Sequence, residues 1–252
     1  MNFSDQLHRS IFIPTIPKRI ISLVPSQTEL LVDLGLEENI VGVTKFCVHP
    51  KSLRTEKTII GGTKNYRMDL IDLLKPDLII GNKEENDQNG IEILMNNYPV
   101  WMSDIYSVED GLDMILRLGK IFKVEKRAKS ISDQIQNDFL KKVTFKGTAV
   151  YLIWNKPMMA AGADTFINEM LSYAGFENLI GERRYPELSK NELLRLNPEY
   201  LLLSSEPFPF KAKHSQEFED LLPKAKIKLV DGELFSWYGS RLLKSKEYFS
   251  TI

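Results

Sequence analysis

Residues 19–35 read RIISLVPSQTELLVDLG, an apolar run followed directly by a helical pattern. The first six of these residues, which end before Pro25, predict a buried parallel strand. Ser26 and Glu29 have the three-residue spacing of a capping box, and Gly35 ends the predicted helix at its C′ position. A strand that passes directly into a helix is typical of a βαβ unit.

The same alternation continues along the first part of the chain. Further strands are predicted at 40–44, 78–80 and 100–102, and a helix at 69–74 stops before Pro76. Short apolar strands that alternate with helices predict an α/β fold built on a parallel sheet.

Residues 107–143 interrupt this alternation, because they carry no strand pattern. Ser107 and Asp110 predict a helix start, and a second helical stretch with apolar residues every three or four positions follows Gly119. A helix over 125–142 would be about 27 Å long, enough to bridge two small lobes. A surface helix of a single domain would have the same periodicity.

The second half of the chain then resumes the first pattern. Strands are predicted at 148–154, 200–203 and 227–230. A helix capped by Asp164 is expected to run to Ala174.

The two halves also share a detailed motif. Residues 69–80, DLIDLLKPDLII, and residues 191–202, NELLRLNPEYLL, both place a proline between a helix and a strand. Matched units in the same order indicate two related lobes. We therefore predict lobes at 1–106 and 144–252, joined by the helical segment 107–143.

Composition limits the possible partners. The 252 residues are enough for two small domains, and 33 basic against 34 acidic residues leave a formal net charge of −1. Such a balance gives no overall basic field for nucleic acid or an anionic membrane, so we predict no nucleic-acid partner. We also expect the chain to be a monomer. The single cysteine excludes an internal disulfide. The first residues have no signal-peptide pattern, so the chain as written is expected in the cytoplasm.

Ligands of open α/β sheets bind outside the carboxyl ends of the strands. The loops that follow the predicted strands contain many aromatic residues, which suit a large, flat or amphiphilic ligand. The alternative is that these aromatic rings pack beneath their own loops. The loops place these residues at the predicted site: Pro25, Ser26, Phe46, His49, Thr63, Asn65, Asn82, Lys83, Trp154, Met158, Phe208, Trp237, Tyr238 and Arg241.

His49 is the candidate metal ligand, because it lies in one of these loops near Cys47. It could complete the axial coordination of a metal held by a macrocycle. A hydrogen-bonded structural histidine is the alternative, since protein metal sites combine several ligands. The sequence has no phosphate-binding glycine motif, nucleophile elbow or zinc-protease motif, so we predict a binding protein rather than an enzyme, with no covalent cofactor.

Taken together, these residues resemble the substrate-binding proteins of iron-chelate and vitamin B12 ABC importers. The resemblance covers about residues 18 to 245, and the cobalamin-binding branch is the most similar. The motifs that carry it are RIISLVPSQTE (19–29), VGVT (41–44), GGTKN (61–65), LKPDLII (74–80), FINEM (166–170), GFEN (175–178) and SWYGSRL (236–242).

The resemblance implies two Rossmann-like lobes with parallel sheets, joined by a single long helix, as in class III periplasmic binding proteins. It implies that a corrinoid or another metal chelate, such as haem or a ferric siderophore, binds between the lobes. Positions that match cobalamin contacts are Phe46, Thr63, Asn82, Trp154 and Glu233.

The resemblance also implies docking on a membrane permease through one acidic residue in each lobe. Asp69 has this position in the first lobe. In the second lobe the position is Asn191, with Glu192 adjacent, which departs from the family pattern. Two alternatives stay open at this point: an intracellular chelate carrier or sensor without a permease, and an enzyme similar to a tetrapyrrole chelatase.

Overall fold

The computed structural model describes residues 1–141 and 143–252, which divide into two compact units. Unit 1 comprises Met1–Gln136 and Tyr238–Leu243, and unit 2 comprises Asn137–Trp237 and Lys244–Ile252. Each unit carries its own parallel sheet, which confirms the predicted α/β class. The lobe limits inferred from the sequence stay a prediction, and Lys142 in the predicted joining segment lies outside the described residues.

The sheet of unit 1 has five parallel strands in the order β5-β4-β3-β6-β7. Ile20 and Ile21 of β3 pair with Leu78 and Ile79 of β6 at its centre, and all four side chains are fully buried. Such strands are apolar throughout because helices cover both faces of a parallel sheet. The described strands of this unit are β1 (Asn2–Ser4), β2 (Ser10–Phe12), β3 (Ile20–Ser22), β4 (Ile40–Val43), β5 (Thr58–Ile59), β6 (Leu78–Asn82) and β7 (Val100–Ser103).

Strands β1 and β2 form an antiparallel hairpin that the sequence pattern did not indicate. Asp5 organises its turn from a fully buried position. The Asp5 carboxylate accepts from the main-chain nitrogens of Leu7 at 3.0 Å and Arg9 at 2.9 Å, and it pairs with the Arg9 guanidinium. A single buried acid therefore fixes the hairpin.

The first helix begins two residues earlier than predicted. Its N-cap is Val24, and Pro25 takes the first helical position, where its missing N–H has no cost. The predicted capping box of Ser26 and Glu29 is therefore wrong, although Gly35 has the expected positive φ of 84°. The helices that begin in unit 1 are α1 (Pro25–Asp33), α2 (Leu53–Glu56), α3 (Met68–Leu74), α4 (Gln88–Met95), α5 (Val108–Phe122) and α6 (Glu125–Phe139), with a 3₁₀ turn at Glu37–Asn39.

Helices α5 and α6 occupy the predicted helical segment. The capping box of Ser107 and Asp110 at the start of α5 is confirmed. Gly119 does not divide the two helices but lies inside α5, which ends instead at Lys123 with a left-handed φ of 58°. Helix α6 has 15 residues, about 22 Å, so it is shorter than predicted. The division between the units falls within α6, after Gln136.

The sheet of unit 2 has parallel strands in the order β10-β8-β11-β12, with β9 antiparallel to β8. Its core includes Val150 and Leu152 of β8 and Leu201 and Leu203 of β11, all fully buried. The described strands are β8 (Gly147–Trp154), β9 (Met159–Ala160), β10 (Phe176–Asn178), β11 (Tyr200–Ser204) and β12 (Lys226–Val230). The helices are α7 (Phe166–Ala174), α8 (Lys190–Leu196), α9 (Ala212–Leu221), α10 (Glu233–Ser236) and α11 (Leu242–Phe249), whose first two residues belong to unit 1.

The cap of α7 is Thr165 rather than Asp164, so that prediction is wrong by one residue. The Thr165 hydroxyl accepts from the Asn168 main-chain nitrogen at 3.1 Å. Asp164 instead pairs with Arg183, at 2.7 Å between Oδ2 and Nε. Among the described residues, no helix combines the length and the apolar character that a membrane crossing needs.

Candidate functional site

In unit 1 the carboxyl ends of the five parallel strands meet at one edge of the sheet. The start of α1 and the loops after β4, β5 and β6 all lie at this edge. They carry eight of the predicted site residues: Pro25, Ser26, Phe46, His49, Thr63, Asn65, Asn82 and Lys83.

A hydrogen-bond network ties these loops together. Asn82 is buried, and its Oδ1 accepts from the main-chain nitrogens of Glu84 at 2.8 Å and Glu85 at 3.1 Å. Its Nδ2 donates to Ser103 Oγ at 2.9 Å, on the neighbouring strand end. Asn86 Nδ2 reaches the carbonyl of Thr63 at 2.9 Å. Asn82 thus supports the loop framework, and its contact with a ligand stays a prediction.

The segment Tyr238–Leu243 contributes two polar anchors to this edge of unit 1. The Tyr238 hydroxyl donates to Glu85 Oε1 at 2.9 Å, and burial together with the Glu85 carboxylate raises the pKa of Tyr238 well above its ordinary value. Arg241 forms a bidentate ion pair with Glu29, at 2.7 and 2.8 Å. These contacts position the segment through charge-assisted hydrogen bonds.

The loop after β4 contains an exposed aromatic ring, that of Phe46, followed by a buried thiol, that of Cys47. Phe46 is 47% exposed, and Lys45 Nζ lies 5.0 Å from its ring centroid. Cys47 is buried between the hydroxyls of Thr28 and Thr44, at 3.1 and 3.3 Å, and burial raises the pKa of this thiol. A protonated, buried thiol is not a nucleophile. His49 is half-buried beside it, and its role as an axial ligand stays a prediction.

Lys83, in the loop after β6, is exposed but already paired. Its Nζ lies 2.7 Å from Asp104 Oδ2, and this hydrogen bond raises the pKa of the lysine. Asn65 is also exposed, and its carbonyl accepts from the Gly62 main-chain nitrogen at 2.9 Å. A polar edge of a ligand that bonds to Lys83 would therefore have to compete with Asp104.

In unit 2 the carboxyl edge of the sheet carries an aromatic cluster. Trp154, at the end of β8, is 38% exposed, and its ring centroid lies 5.7 Å from that of Phe208 in an edge-on arrangement. Phe208 in turn lies 4.8 Å from Phe210 and 5.3 Å from His214. Met158 is half-buried and packs against the core of this unit. Trp154 thus presents part of its ring to the surroundings from a packed aromatic base.

A second group of side chains at this edge consists of Glu206, Ser236 and Trp237. Glu206, which was not among the predicted site residues, bonds to the other two. Its Oε1 accepts from Ser236 Oγ at 2.7 Å and from Trp237 Nε1 at 2.9 Å. Burial raises the pKa of Glu206. Trp237 is only 7% exposed, whereas Glu233 is half-buried at the start of α10. The sequence did contain a signal for Glu206, because this residue follows the apolar strand β11 and Ser205 and so lies in a loop at the carboxyl end of a strand.

The predicted docking acids lie on the first turns of two corresponding helices. Asp69 on α3 is exposed and pairs with Arg67 at 2.7 Å, which lowers the pKa of the carboxyl. Glu192 on α8 accepts from the hydroxyl and the main-chain nitrogen of Ser189, and these bonds lower its pKa. Asn191 precedes it and is exposed. Both carboxylates are ionised at neutral pH and lie at the surface.

A metal held by protein side chains alone would need several ligands together. Within residues 1–141 and 143–252, no three His, Cys, Asp or Glu side chains are grouped in that way.

Residues 20–224 match the family described as "Periplasmic binding protein". Among curated relatives, an uncharacterized ABC transporter substrate-binding lipoprotein, YvrC of Bacillus subtilis (strain 168), is 24% identical over 98% of this chain and 83% of its own length. A vitamin B12-binding protein of Pectobacterium carotovorum subsp. carotovorum (strain PC1) is 24% identical, over 90% of this chain and 85% of its own.

A similar solved structure is that of a possible iron-binding (periplasmic solute-binding) protein from Staphylococcus epidermidis ATCC 12228. It is 25% identical, covers 92% of this chain and 97% of its own, and superposes with a TM-score of 0.77.

Proposed function

The chain belongs to the periplasmic binding protein family, and from that premise we propose that it is the substrate-binding protein of an ABC importer. Its ligand is a metal chelate, foremost a corrinoid, with haem and ferric siderophores in the same class. The relatives named for vitamin B12 binding and for possible iron binding support this ligand class.

The observation that carries the proposal is the exposed aromatic surface at both carboxyl edges. Phe46 in unit 1 is 47% exposed and Trp154 in unit 2 is 38% exposed, each on a loop or strand end of its own parallel sheet. Aromatic rings held by a rigid framework suit a large, planar ligand with an apolar face. Polar groups nearby, such as Asn65 and Glu233, would orient its edges.

We further propose that the protein delivers this ligand to a permease, through Asp69 on α3 and Glu192 on α8. Each carboxylate is ionised and exposed, so each could meet an arginine of the permease. Glu192 is one position away from the site implied by the resemblance, and its bonds to Ser189 would have to compete with the permease. The place of action is outside the cytoplasmic membrane, as the names of the family and of the lipoprotein relative suggest.

The site fits a protein that binds and delivers a metal chelate better than it fits a chelatase that inserts a metal. A chelatase would need a base close to its metal ligands, and the raised pKa of Cys47 gives that thiol no such role. The relatives are also named for binding rather than for catalysis.

Titration of the full chain with cyanocobalamin, haemin and a ferric hydroxamate tests the proposal, with equilibrium dialysis and tryptophan fluorescence as readouts. We expect at least one chelate to bind and to quench Trp154, so Trp154→Phe should remove most of the quenching. Trp101→Phe, at a fully buried position in β7, is the control that should preserve it. Absence of binding by all three chelate classes would reject the ligand assignment.

His49→Ala tests the axial-ligand hypothesis separately. If His49 coordinates the metal, the visible spectrum of the bound chelate should shift in this variant. An unchanged spectrum with unchanged affinity would remove His49 from the site without affecting the rest of the proposal.

A further inference from the structure

Three large apolar side chains are exposed in the short segment before strand β8. Leu140 is 75% exposed, Phe145 65% and Val143 38%. Scattered apolar residues are ordinary at a protein surface, but three within six positions form a local apolar patch. We call this group the 140–145 patch.

Lys141 lies within the 140–145 patch in sequence and Lys146 directly follows it, and three half-buried lysines, Lys146, Lys228 and Lys246, bond to main-chain oxygens of unit 2. Lys146 Nζ donates to the carbonyl of Phe249, and Lys246 Nζ to that of Tyr173 at 3.1 Å. Lys228 Nζ donates to the terminal oxygen of Ile252 at 2.9 Å, which compensates part of its charge. In the part of the chain that the structure describes, no carboxylate side chain forms an ion pair with these three lysines.

The lysines are close enough to influence one another. Burial and the ammonium groups of Lys228 and Lys246 lower the pKa of Lys146. Burial and the ammonium group of Lys141 lower the pKa of Lys246. Lys141 itself pairs with Asp138, so its charge is partly compensated. The Asp138 carboxylate opposes the lowering of the pKa of Lys246, so the group is a set of mutually close ammonium groups with one carboxylate beside them.

This surface lies at the amino edge of the unit 2 sheet. Strands β8, β10 and β11 are parallel and begin there, and the Lys146 main-chain nitrogen bonds to the carbonyl of Gly175 at 2.8 Å, just before β10. Trp154 and Glu206 lie at the opposite, carboxyl edge of the same sheet. The 140–145 patch is therefore separate from the candidate ligand residues of this unit.

We propose that the 140–145 patch and its lysines bind the surface of an anionic lipid bilayer. The apolar side chains would enter the boundary between headgroups and acyl chains, while the lysines lie at the level of the lipid phosphates. An amphiphilic partner satisfies both features, whereas a purely polar anion would leave Leu140 and Phe145 without apolar contact. The net charge of the whole chain is close to zero and so does not indicate this group of lysines, because acidic residues elsewhere in the chain balance their charge.

Co-sedimentation with vesicles tests the charge component. The full chain should bind phosphatidylcholine vesicles that contain roughly a third phosphatidylglycerol, and bind pure phosphatidylcholine at least tenfold more weakly. The triple variant Lys141→Gln, Lys228→Gln and Lys246→Gln should reduce anionic-vesicle binding on the order of a hundredfold, at about fivefold per lysine. The control is a second triple variant, which removes three exposed lysines of unit 1: Lys123→Gln, Lys126→Gln and Lys129→Gln. This control should bind anionic vesicles as strongly as the unaltered chain does.

The apolar component has a matched control as well. Leu140→Ser with Phe145→Ser should weaken vesicle binding by roughly tenfold or more, because the inserted apolar area is lost. Phe12→Ser with Leu73→Ser changes the same residue types at 65% and 74% exposure in unit 1 and should have no effect.

Three results would overturn the proposal: no preference for anionic vesicles, equal loss in the control variants, or full vesicle binding by the Ser variant together with tight binding to soluble polyphosphate. The last result would identify a soluble anionic polymer as the partner instead. Chelate titration of every variant should match the unaltered chain, so failure of the ligand assignment is distinguished from failure here. Thermal melts by circular dichroism verify that each variant is folded.

Discussion

Glu29 of α1 and Arg241 form a bidentate pair whose side chains are 9% and 7% exposed. Arg241→Ala would leave a buried carboxylate without its guanidinium, which costs about 3–5 kcal/mol in free energy of unfolding. Urea denaturation followed by circular dichroism measures this loss. Arg67→Ala, which removes the exposed partner of Asp69, is the control and should not move the midpoint.

A double variant separates the buried charge from the lost packing. Glu29→Leu with Arg241→Met removes both charges, so it should recover most of the stability that Arg241→Ala loses. If the double variant were as unstable as Arg241→Ala, packing of the arginine stem rather than the buried carboxylate would explain the loss.

Glu206 should make the stability of unit 2 depend on pH. Burial raises its folded-state pKa, so the folded chain retains this proton at pH values where the unfolded chain has lost it. The stability from Glu206 is therefore fully present below the ordinary carboxyl pKa of 4.5 and declines as pH rises through the higher folded value. The free energy of unfolding should accordingly fall, relative to Glu206→Gln, between about pH 4 and pH 7.

Urea denaturation at both pH values measures that difference. Glu217→Gln on α9 removes the same charge from an exposed position and serves as the control. A constant difference between the unaltered chain and Glu206→Gln would contradict the proposed burial effect.

Single residues were the least predictable feature of the sequence. Ser26 and Glu29 have the spacing of a capping box, but Glu29 bonds to an arginine 212 positions away. Local spacing holds no information about such a partner, and the same applies to the contact of Tyr238 with Glu85. Asp164 and Thr165 are both good N-cap residues, so the choice between them depended on the geometry of the preceding turn.

At the scale of elements, Gly119 of α5 packs directly against Ala128 of α6. A Cβ at Gly119 would lie 2.5 Å from the Cβ of Ala128. Gly119→Ala should therefore destabilise unit 1 by about 1–3 kcal/mol through overpacking. In the same helix a Cβ at Gly111 would meet its nearest neighbour at 3.8 Å, so Gly111→Ala should stabilise it by up to about 1 kcal/mol.

Thermal unfolding of the two glycine variants gives a direct comparison, because both lie in α5. If both variants shifted the melting temperature equally and in the same direction, α5 and α6 would accommodate a Cβ at Gly119 without loss of stability. That result would contradict the predicted overpacking.

Seven of the twelve strands and about half of the helices in the described residues could be predicted, because apolar runs and the 3.6-residue period are local properties. All the predicted strands are present, and most agree with their expected limits within one residue. Strand β3 ends two residues earlier than predicted, and β6 ends two residues later. The hairpin of β1 and β2 was missed because three-residue strands carry too little pattern. Gly119 was misread as a helix end because a glycine required for close packing looks the same in sequence as one that ends a helix.

At the scale of the molecule, unit 1 is discontinuous, since it includes Tyr238–Leu243. A chain ending at Trp237 lacks Arg241 and the hydroxyl of Tyr238, so unit 1 should lose stability, by about 3–5 kcal/mol from Glu29 alone. A chain ending at Leu243 keeps both contacts but loses Phe249, which packs 4.7 Å from Phe235 in unit 2.

Fluorescence of Trp101 reports on unit 1 in these truncations, once Trp154 and Trp237 are replaced by Phe. The chain ending at Leu243 should unfold near the full-length midpoint by this probe, and the chain ending at Trp237 well below it. Identical midpoints would mean that Tyr238–Leu243 contributes nothing to unit 1.

The presence of two compact units could be predicted, because the helix–Pro–strand motif is repeated in the two halves of the sequence. The position of the ligand at the carboxyl edges stays a prediction from the general behaviour of parallel sheets. The partners of each site residue could not be predicted. Lys83 and Asn82 read as ligand contacts in sequence, yet in the structure they bond to Asp104 and Ser103. Those partners come from the next strand, so only the folded sheet brings them together.

The ion pair of Glu29 and Arg241 also affects when unit 1 can complete its folding during synthesis. Ribosomes add about 5–20 residues per second, so the 212 positions between the two residues correspond to roughly 10–40 s. Through that interval the nascent first unit contains a carboxylate whose guanidinium partner has not yet been made. Unit 1 therefore cannot form this ion pair until Arg241 has been synthesised and has left the ribosome.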